Sequence, residues 1–176
     1  IAQRAKMSSA VLFAQSILSD IIKPCFDRFV SKQSGFNAFT SDNIANFDAD
    51  GVVDPTAIKL SRSSNAGQEI SLDVAYINPV TSELELEVSW NSNAGTGLNL
   101  ATDILKAVVH HPRNPQTGTP ITIGAKGTGA QNWSENVPMA VLPEAGDTVT
   151  ILVVGLRADG SVVFQTTYSQ VVATVD

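Results

Sequence analysis

From Glu83 to Trp90 the chain alternates without a fault: Glu83, Glu85, Glu87 and Ser89 take the odd positions, and Leu84, Leu86, Val88 and Trp90 the even ones. A period of two is the signature of a strand with one wet face and one buried face. A slip of one residue would bury three carboxylates, so the segment fixes its own orientation. Such a strand needs hydrogen-bonded neighbours and a second layer over its apolar face. Further strands are expected at Ala57–Arg62 (Ile58 and Leu60 on one face), Glu69–Tyr76, Ile104–His110, Pro120–Ala125, Thr148–Leu156 and Ser161–Val172. Asn78-Pro79 with Thr81-Ser82 reads as the turn before Glu83, and Asp159-Gly160 as a hairpin turn. The glycine-rich stretch Gly118–Gly129 reads as loop-rich. About seven short strands between Gly, Pro and Asn turns suggest two packed antiparallel sheets of the immunoglobulin or fibronectin type.

The first part of the chain has a different period. Ala10, Val11, Ala14, Ile17, Leu18, Ile21, Ile22, Cys25, Phe26, Phe29 and Val30 recur in steps of three and four, which puts them on one helical face. Pro24 must kink or break that helix near Lys23. Gly35 is expected to end it in a left-handed conformation, and Phe36–Phe47 to form a short third helix packed back on the first. The expected class is therefore α+β: a helical segment at 1–47, then an antiparallel immunoglobulin/fibronectin-like β-sandwich at 52–176. Phe13 falls off the main helical stripe and is expected to seek a partner outside the subunit.

Hydrophobic residues make up 43% of the chain and charged residues 16%, enough apolar content for a core. The net charge of −6 argues against a nucleic-acid surface, which needs clustered Lys and Arg. Charge is also unevenly placed. Residues 1–35 carry Arg4, Lys6, Lys23, Arg28 and Lys32 against Asp20 and Asp27, whereas acids outnumber bases after residue 51. No apolar run is long enough for a transmembrane segment. Cys25 is the sole cysteine, so no intrachain disulfide can form.

The candidate chemistry is thin. Asn46, Asp48, Asp50, Gly51 and Asp54 fit the early positions of a calcium loop, but Ala57 stands where a bidentate carboxylate is required. A solvated acidic turn is the expectation. His110 and His111 are adjacent on a strand and point to opposite faces, so they cannot share a metal. Gly124–Gly129 lacks the order of a phosphate loop. Cys25, on an apolar helix face, reads as an inert small hydrophobe. Trp90 belongs to the core by alternation, which leaves Trp133, inside the sequon Asn132-Trp133-Ser134, as the exposed aromatic. No catalytic, cofactor-binding or metal-binding residue is assigned, no cofactor is expected, and an enzyme is not expected.

Ala2-Gln3-Arg4-Ala5-Lys6-Met7, Lys23-Pro24, Gly35-Phe36-Asn37-Ala38 and Asn43 together resemble an uncharacterised family of Bacteroidota proteins of about two hundred residues. Weaker echoes are Thr102-Asp103 and the Leu156–Ser161 stretch. The resemblance implies a helical start before an immunoglobulin-like half, with no transferable activity. The chain begins at Ile1, as expected of a cleaved or shortened N-terminus. The reading that follows is a non-enzymatic structural protein: a subunit of an extracellular filament or virion-like assembly, at the cell surface or outside it. It would form a homo-oligomer or polymer through the helical segment and chain ends, its basic start meeting a neighbour's acidic sheet. The alternative is a surface adhesin or a module that binds carbohydrate or protein.

Overall fold

The computed structural model describes residues 2–62, 72–80, 82–92 and 100–171, with residues 72–80, 92, 162–164 and 166–171 as backbone only. Among them, three α-helices come first: α1 (Ala2–Ser16), α2 (Lys23–Phe26) and α3 (Gly35–Asn43). Strands β1 (Leu72–Val80), β2 (Glu83–Ser92), β3 (Ile104–His110), β4 (Thr119–Ala125), β5 (Gly129–Pro138), β6 (Thr148–Leu156) and β7 (Val162–Val171) follow. They form two antiparallel sheets, ordered β1-β2-β5 and β4-β3-β6-β7. The architecture is α+β, as the change of period requires.

Pro24 shapes the helical part. It has no N–H to give and crowds the carbonyl of Asp20 four residues back. The ladder slips accordingly: the N–H of Ile22 donates to the Ile17 carbonyl at 3.1 Å and that of Lys23 to Leu18, a π-helical turn over Leu18–Ile22. The freed Asp20 carbonyl accepts instead from Lys106 Nζ on β3, at 3.2 Å. The bend itself comes earlier than the expected site near Lys23: Ala2–Ser16 and Leu18–Phe29 meet at 73° across Ile17, whose backbone leaves the helical region (φ −118°, ψ 15°). Gly35 corrects its assignment. It opens α3 rather than closing a helix, Ser34 Oγ caps that helix by accepting from the Asn37 N–H at 3.2 Å, and Lys32 takes the left-handed turn (φ 65°). Glycine is needed at 35 for closeness: its N–H donates to Asp27 Oδ1, and a Cβ would lie 2.3 Å from that oxygen.

The four-stranded sheet is covered on both sides. Leu105, Ala107, Val109, Val149, Ile151 and Val153 face Leu84, Leu86, Val88, Trp90 and Val137 of the other sheet. The opposite face, through Val108, Leu152, Val154 and Leu156, packs under Phe13, Ile17, Ile21, Ile22, Phe26 and Phe39. This explains the unbroken apolar run of β6, a strand with no wet side. The layers are therefore helices, four strands, three strands. Phe13 lies at the centre of the helical layer, fully buried, 6.2 Å from the rings of both Phe39 and Phe47. The expectation that it needs an outside partner is overturned, because the sheet beneath α1 supplies one. Gly118 makes that approach possible: a Cβ there would sit 2.3 Å from Val108 Cγ1 and 3.2 Å from Phe13 Cζ.

The Glu83–Trp90 register holds: Leu84, Leu86 and Val88 have no exposed surface, Trp90 is buried, and the three glutamates lie half-buried on the other face. Three strand boundaries differ from expectation. Ala57–Arg62 is not a strand. Ile58 and Leu60 are buried together, but their neighbouring backbone groups bond to side chains: Lys59 N–H to Asn43 Oδ1 at 2.7 Å, Leu60 N–H to Gln165 Oε1 at 2.8 Å, and Gln165 Nε2 to the Ile58 carbonyl at 2.8 Å. Asn78 and Pro79 lie within edge strand β1, with Ser82 (φ 66°) in the turn. Strand β5 was not expected, since of the positions Gln131, Trp133, Glu135 and Val137 that share one side only Trp133 and Val137 are apolar, and Glu135 stays exposed. Residues 69–71 of the expected Glu69–Tyr76 strand and Val172 lie outside the described residues.

Candidate functional site

No concentration of reactive groups stands out among the described residues; the outward-facing layers carry the polarity. The three-stranded sheet contains Asp73, Glu83, Glu85, Glu87 and Glu135 and no Lys or Arg. On β2 the glutamates fall at every second position, so the strand spaces them about 7 Å apart in one row. On the far side of the molecule α1 carries Arg4 and Lys6 and no acid. Beside them Met7, Val11, Phe36 and Ile44 line an open groove between α1 and α3 of about 370 Å³.

The acidic turn uses its polar atoms on itself. Asp48 Oδ1 accepts from the N–H groups of Asp50 (2.9 Å) and Val52 (2.8 Å), and Asp54 Oδ1 from Thr56. Asn46 Nδ2 donates to Asn43 Oδ1 and the Ala57 carbonyl. Gly51 (φ 82°) supplies the left-handed corner, its Cα so close to α1 that a Cβ would lie 2.3 Å from Ser9 Oγ. Among the described residues no three His, Cys, Asp or Glu side chains converge.

The two histidines diverge. His110 faces the helical layer, 6.1 Å from the Phe13 ring, with Nε2 3.4 Å from the Pro115 carbonyl. Burial lowers its pKa to about 4. His111 is also held below the usual range by burial, against opposing pulls from the Val141 backbone and the Asp147 carboxylate. Cys25 is buried, and burial pushes its thiol up to about 12, far from a nucleophile at neutral pH. Trp90 Nε1 donates to the Lys126 carbonyl at 2.9 Å. Trp133 does not stand free as expected. It is half-buried against the inter-sheet core, because β5 places it opposite Val88 on the inward side.

One buried polar network escaped the sequence reading. Asp103, fully buried, accepts from Arg157 Nε (3.1 Å) and Nη2 (3.3 Å) and from the Leu100 N–H (2.7 Å). Its carbonyl accepts from the Lys126 N–H at 2.7 Å. Burial lowers the Lys126 pKa against the pull of Asp103. Both halves of the ion pair fall in the weaker family echoes, Thr102-Asp103 and Leu156–Ser161. Nothing in either stretch alone signals that they meet across β3 and β6.

No single helix among the described residues is long and apolar enough to cross a membrane. A family model described as a family of unknown function (DUF6266) matches residues 1–170. No curated protein matches the chain. Among solved structures, the sensor domain of the anti-sigma factor RsgI4 of Pseudobacteroides cellulosolvens is 12% identical, with a TM-score of 0.37 over 60% of this chain and 96% of that one. OgpA of Akkermansia muciniphila is 12% identical, with a TM-score of 0.35 over 64% of this chain and 31% of that one. Likenesses this low carry no argument about fold or function.

Proposed function

Since the chain belongs to DUF6266, a family of unknown function, we propose from its own surfaces that it is a non-enzymatic structural subunit of an extracellular filament or virion-like assembly. The two sheets are read as an immunoglobulin/fibronectin-like sandwich with a helical cap. The pairing of sequence-distant strands β2 with β5 and β3 with β6 supports that reading. The resemblance of its N-terminal motifs to Bacteroidota proteins belongs to the same proposal.

One observation carries the assembly reading: the three-stranded sheet bears only acidic charges and α1 only basic ones, although Lys6 also lies beside Asp48 and Asp54 of its own chain. A wholly acidic sheet lies at one pole, and α1 with Arg4 and Lys6 at the other. Copies stacked head to tail would pair them, and a heterologous contact of this kind gives an open filament or a closed ring. The groove lined by Met7, Val11, Phe36 and Ile44 adds apolar surface, worth about 25 cal/mol per Å² removed from water. The buried helical stripe, Phe13 and Ile17 included, contributes nothing to such a contact. The net charge of −6 opposes it, but that repulsion is screened beyond roughly 8 Å at physiological salt.

Sedimentation velocity at low and high salt tests the proposal. Species larger than the monomer should form at low salt and shrink as salt rises. Glu85→Lys/Glu87→Lys should abolish them, and mixing that variant with Arg4→Glu/Lys6→Glu should restore them. A clean monomer at high concentration and low salt would sink the proposal and favour the adhesin alternative.

A further inference from the structure

His110 stands where the helical layer meets the four-stranded sheet, and its polar atoms are poorly provided for. Its side chain is 4% exposed. Nδ1 is buried with no hydrogen-bond partner among the described residues. Nε2 lies 3.4 Å from the Pro115 carbonyl, beyond the range of a good N–H···O bond. Its ring neighbours Phe13, which in turn packs with Phe39 and Phe47, while Phe39 meets Phe26 at 5.5 Å. An unpartnered imidazole nitrogen in such a place is costly, and a charged one much more so.

We propose that His110 is an acid-sensitive latch: protonating its ring places an unpaired cation inside the aromatic cluster and loosens the helical layer from the sheet.

Among the described residues, the surroundings offer that cation no anion. On α1 the ionisable residues are Arg4 and Lys6, both basic, and β4 and β6 carry none. On β3 itself, Lys106 reaches away to Asp20. On α3, Asp42 is paired with Arg62, and after it Asp48 is spent on the backbone of its own turn. The connection from β3 to β4 adds His111 and Arg113, and Arg113 is tied to Glu144 and Asp147. Among the described residues, the charge that acts on His110 is that of His111, which disfavours protonation further. The sign follows. A ring that binds its proton near 6.5 when released and near 4 when packed favours release as pH falls through that interval. Protonation then shifts the packed–released balance by on the order of a hundred-fold.

The inference is independent of the assembly reading and concerns a single copy. Hydrogen exchange with mass readout on the full chain, corrected for intrinsic rates, separates local release from global unfolding. Between pH 7 and pH 4 the amides of residues 9–26 should lose protection up to about a hundred-fold, while those of β2 and β6 and the fluorescence of Trp90 hold. His110→Phe should remove this acid step. His110→Asn, smaller and also neutral, should do the same if phenylalanine overpacks the site. His111→Phe should keep the step. The proposal fails if both His110 variants lose protection with acid as the wild type does, if His111→Phe alone abolishes the step, or if the His110 ring titrates near 6.5 by NMR.

Discussion

Replacing Asp103 with alanine probes the buried network that closes one end of the two-sheet core. The carboxylate has no exposed surface, Arg157 is 20% exposed, and three hydrogen bonds end on the two Asp103 oxygens. Breaking a buried ion pair by removing one partner costs about 3–5 kcal/mol. Arg157 can turn partly to water, so the lower end applies, about 3 kcal/mol. For a chain of this length that corresponds to a fall in Tm of roughly 6–12 °C. Urea unfolding followed by tryptophan fluorescence suits the measurement, because the Trp90 indole bonds to Lys126, whose N–H bonds to Asp103. The midpoint should drop with an unchanged slope. Arg157→Met supplies the control: once the cation is gone, Asp103→Ala should cost at least about 1 kcal/mol less than in the parent. A loss below about 1 kcal/mol, or simple additivity of the two changes, would refute the account of this pair as a joint.

Phe13→Ala should destabilise the chain by about 3–5 kcal/mol in the same urea assay, and Phe13→Asp should yield unfolded chain rather than a folded monomer. Gly118→Ala should cost about 1–3 kcal/mol by forcing Val108 and Phe13 apart, measured as a lower Tm. Cys25 should resist a thiol reagent such as dithionitrobenzoate at pH 8 until denaturant is added; rapid labelling of the native chain would contradict its burial. Asp42 is held below the usual carboxylate range chiefly by its hydrogen bonds from Arg62, so its stabilisation is present above pH 4 and is lost as acid protonates it. Arg62→Gln should therefore flatten the stability curve below pH 4 and lower stability at neutral pH.

What could be read beforehand depended on whether one strand or helix was enough to carry the signal. Alternation over Glu83–Trp90 gave faces and register because both are local properties. Pro24 marked a disturbed helix for the same reason, but the bend falls at Ile17, a position with no local signal. Ile58 and Leu60 mimicked a strand because burial alternates there, although Asn43 and Gln165 side chains replace a partner strand. Strand β5 was hidden because an edge strand pairs through its backbone and needs few apolar residues. Phe13 was misplaced because a helical wheel counts one buried side, whereas α1 is flanked by both the sheet and α3. The Asp103–Arg157 pair joins residues far apart in sequence, and His110 gains its surroundings from α1; neither is visible in any single window.

The helical layer rests on β3 and β6, yet its own residues leave the ribosome first. Phe13, Ile17, Ile21 and Phe26 are made long before Val108, and longer still before Leu152, Val154 and Leu156. At about 5–20 residues per second the delay is on the order of 10 s. During that interval the nascent chain displays an apolar helix with nothing of its own to lie on, so chaperone demand should peak early in synthesis and end abruptly when β6 emerges.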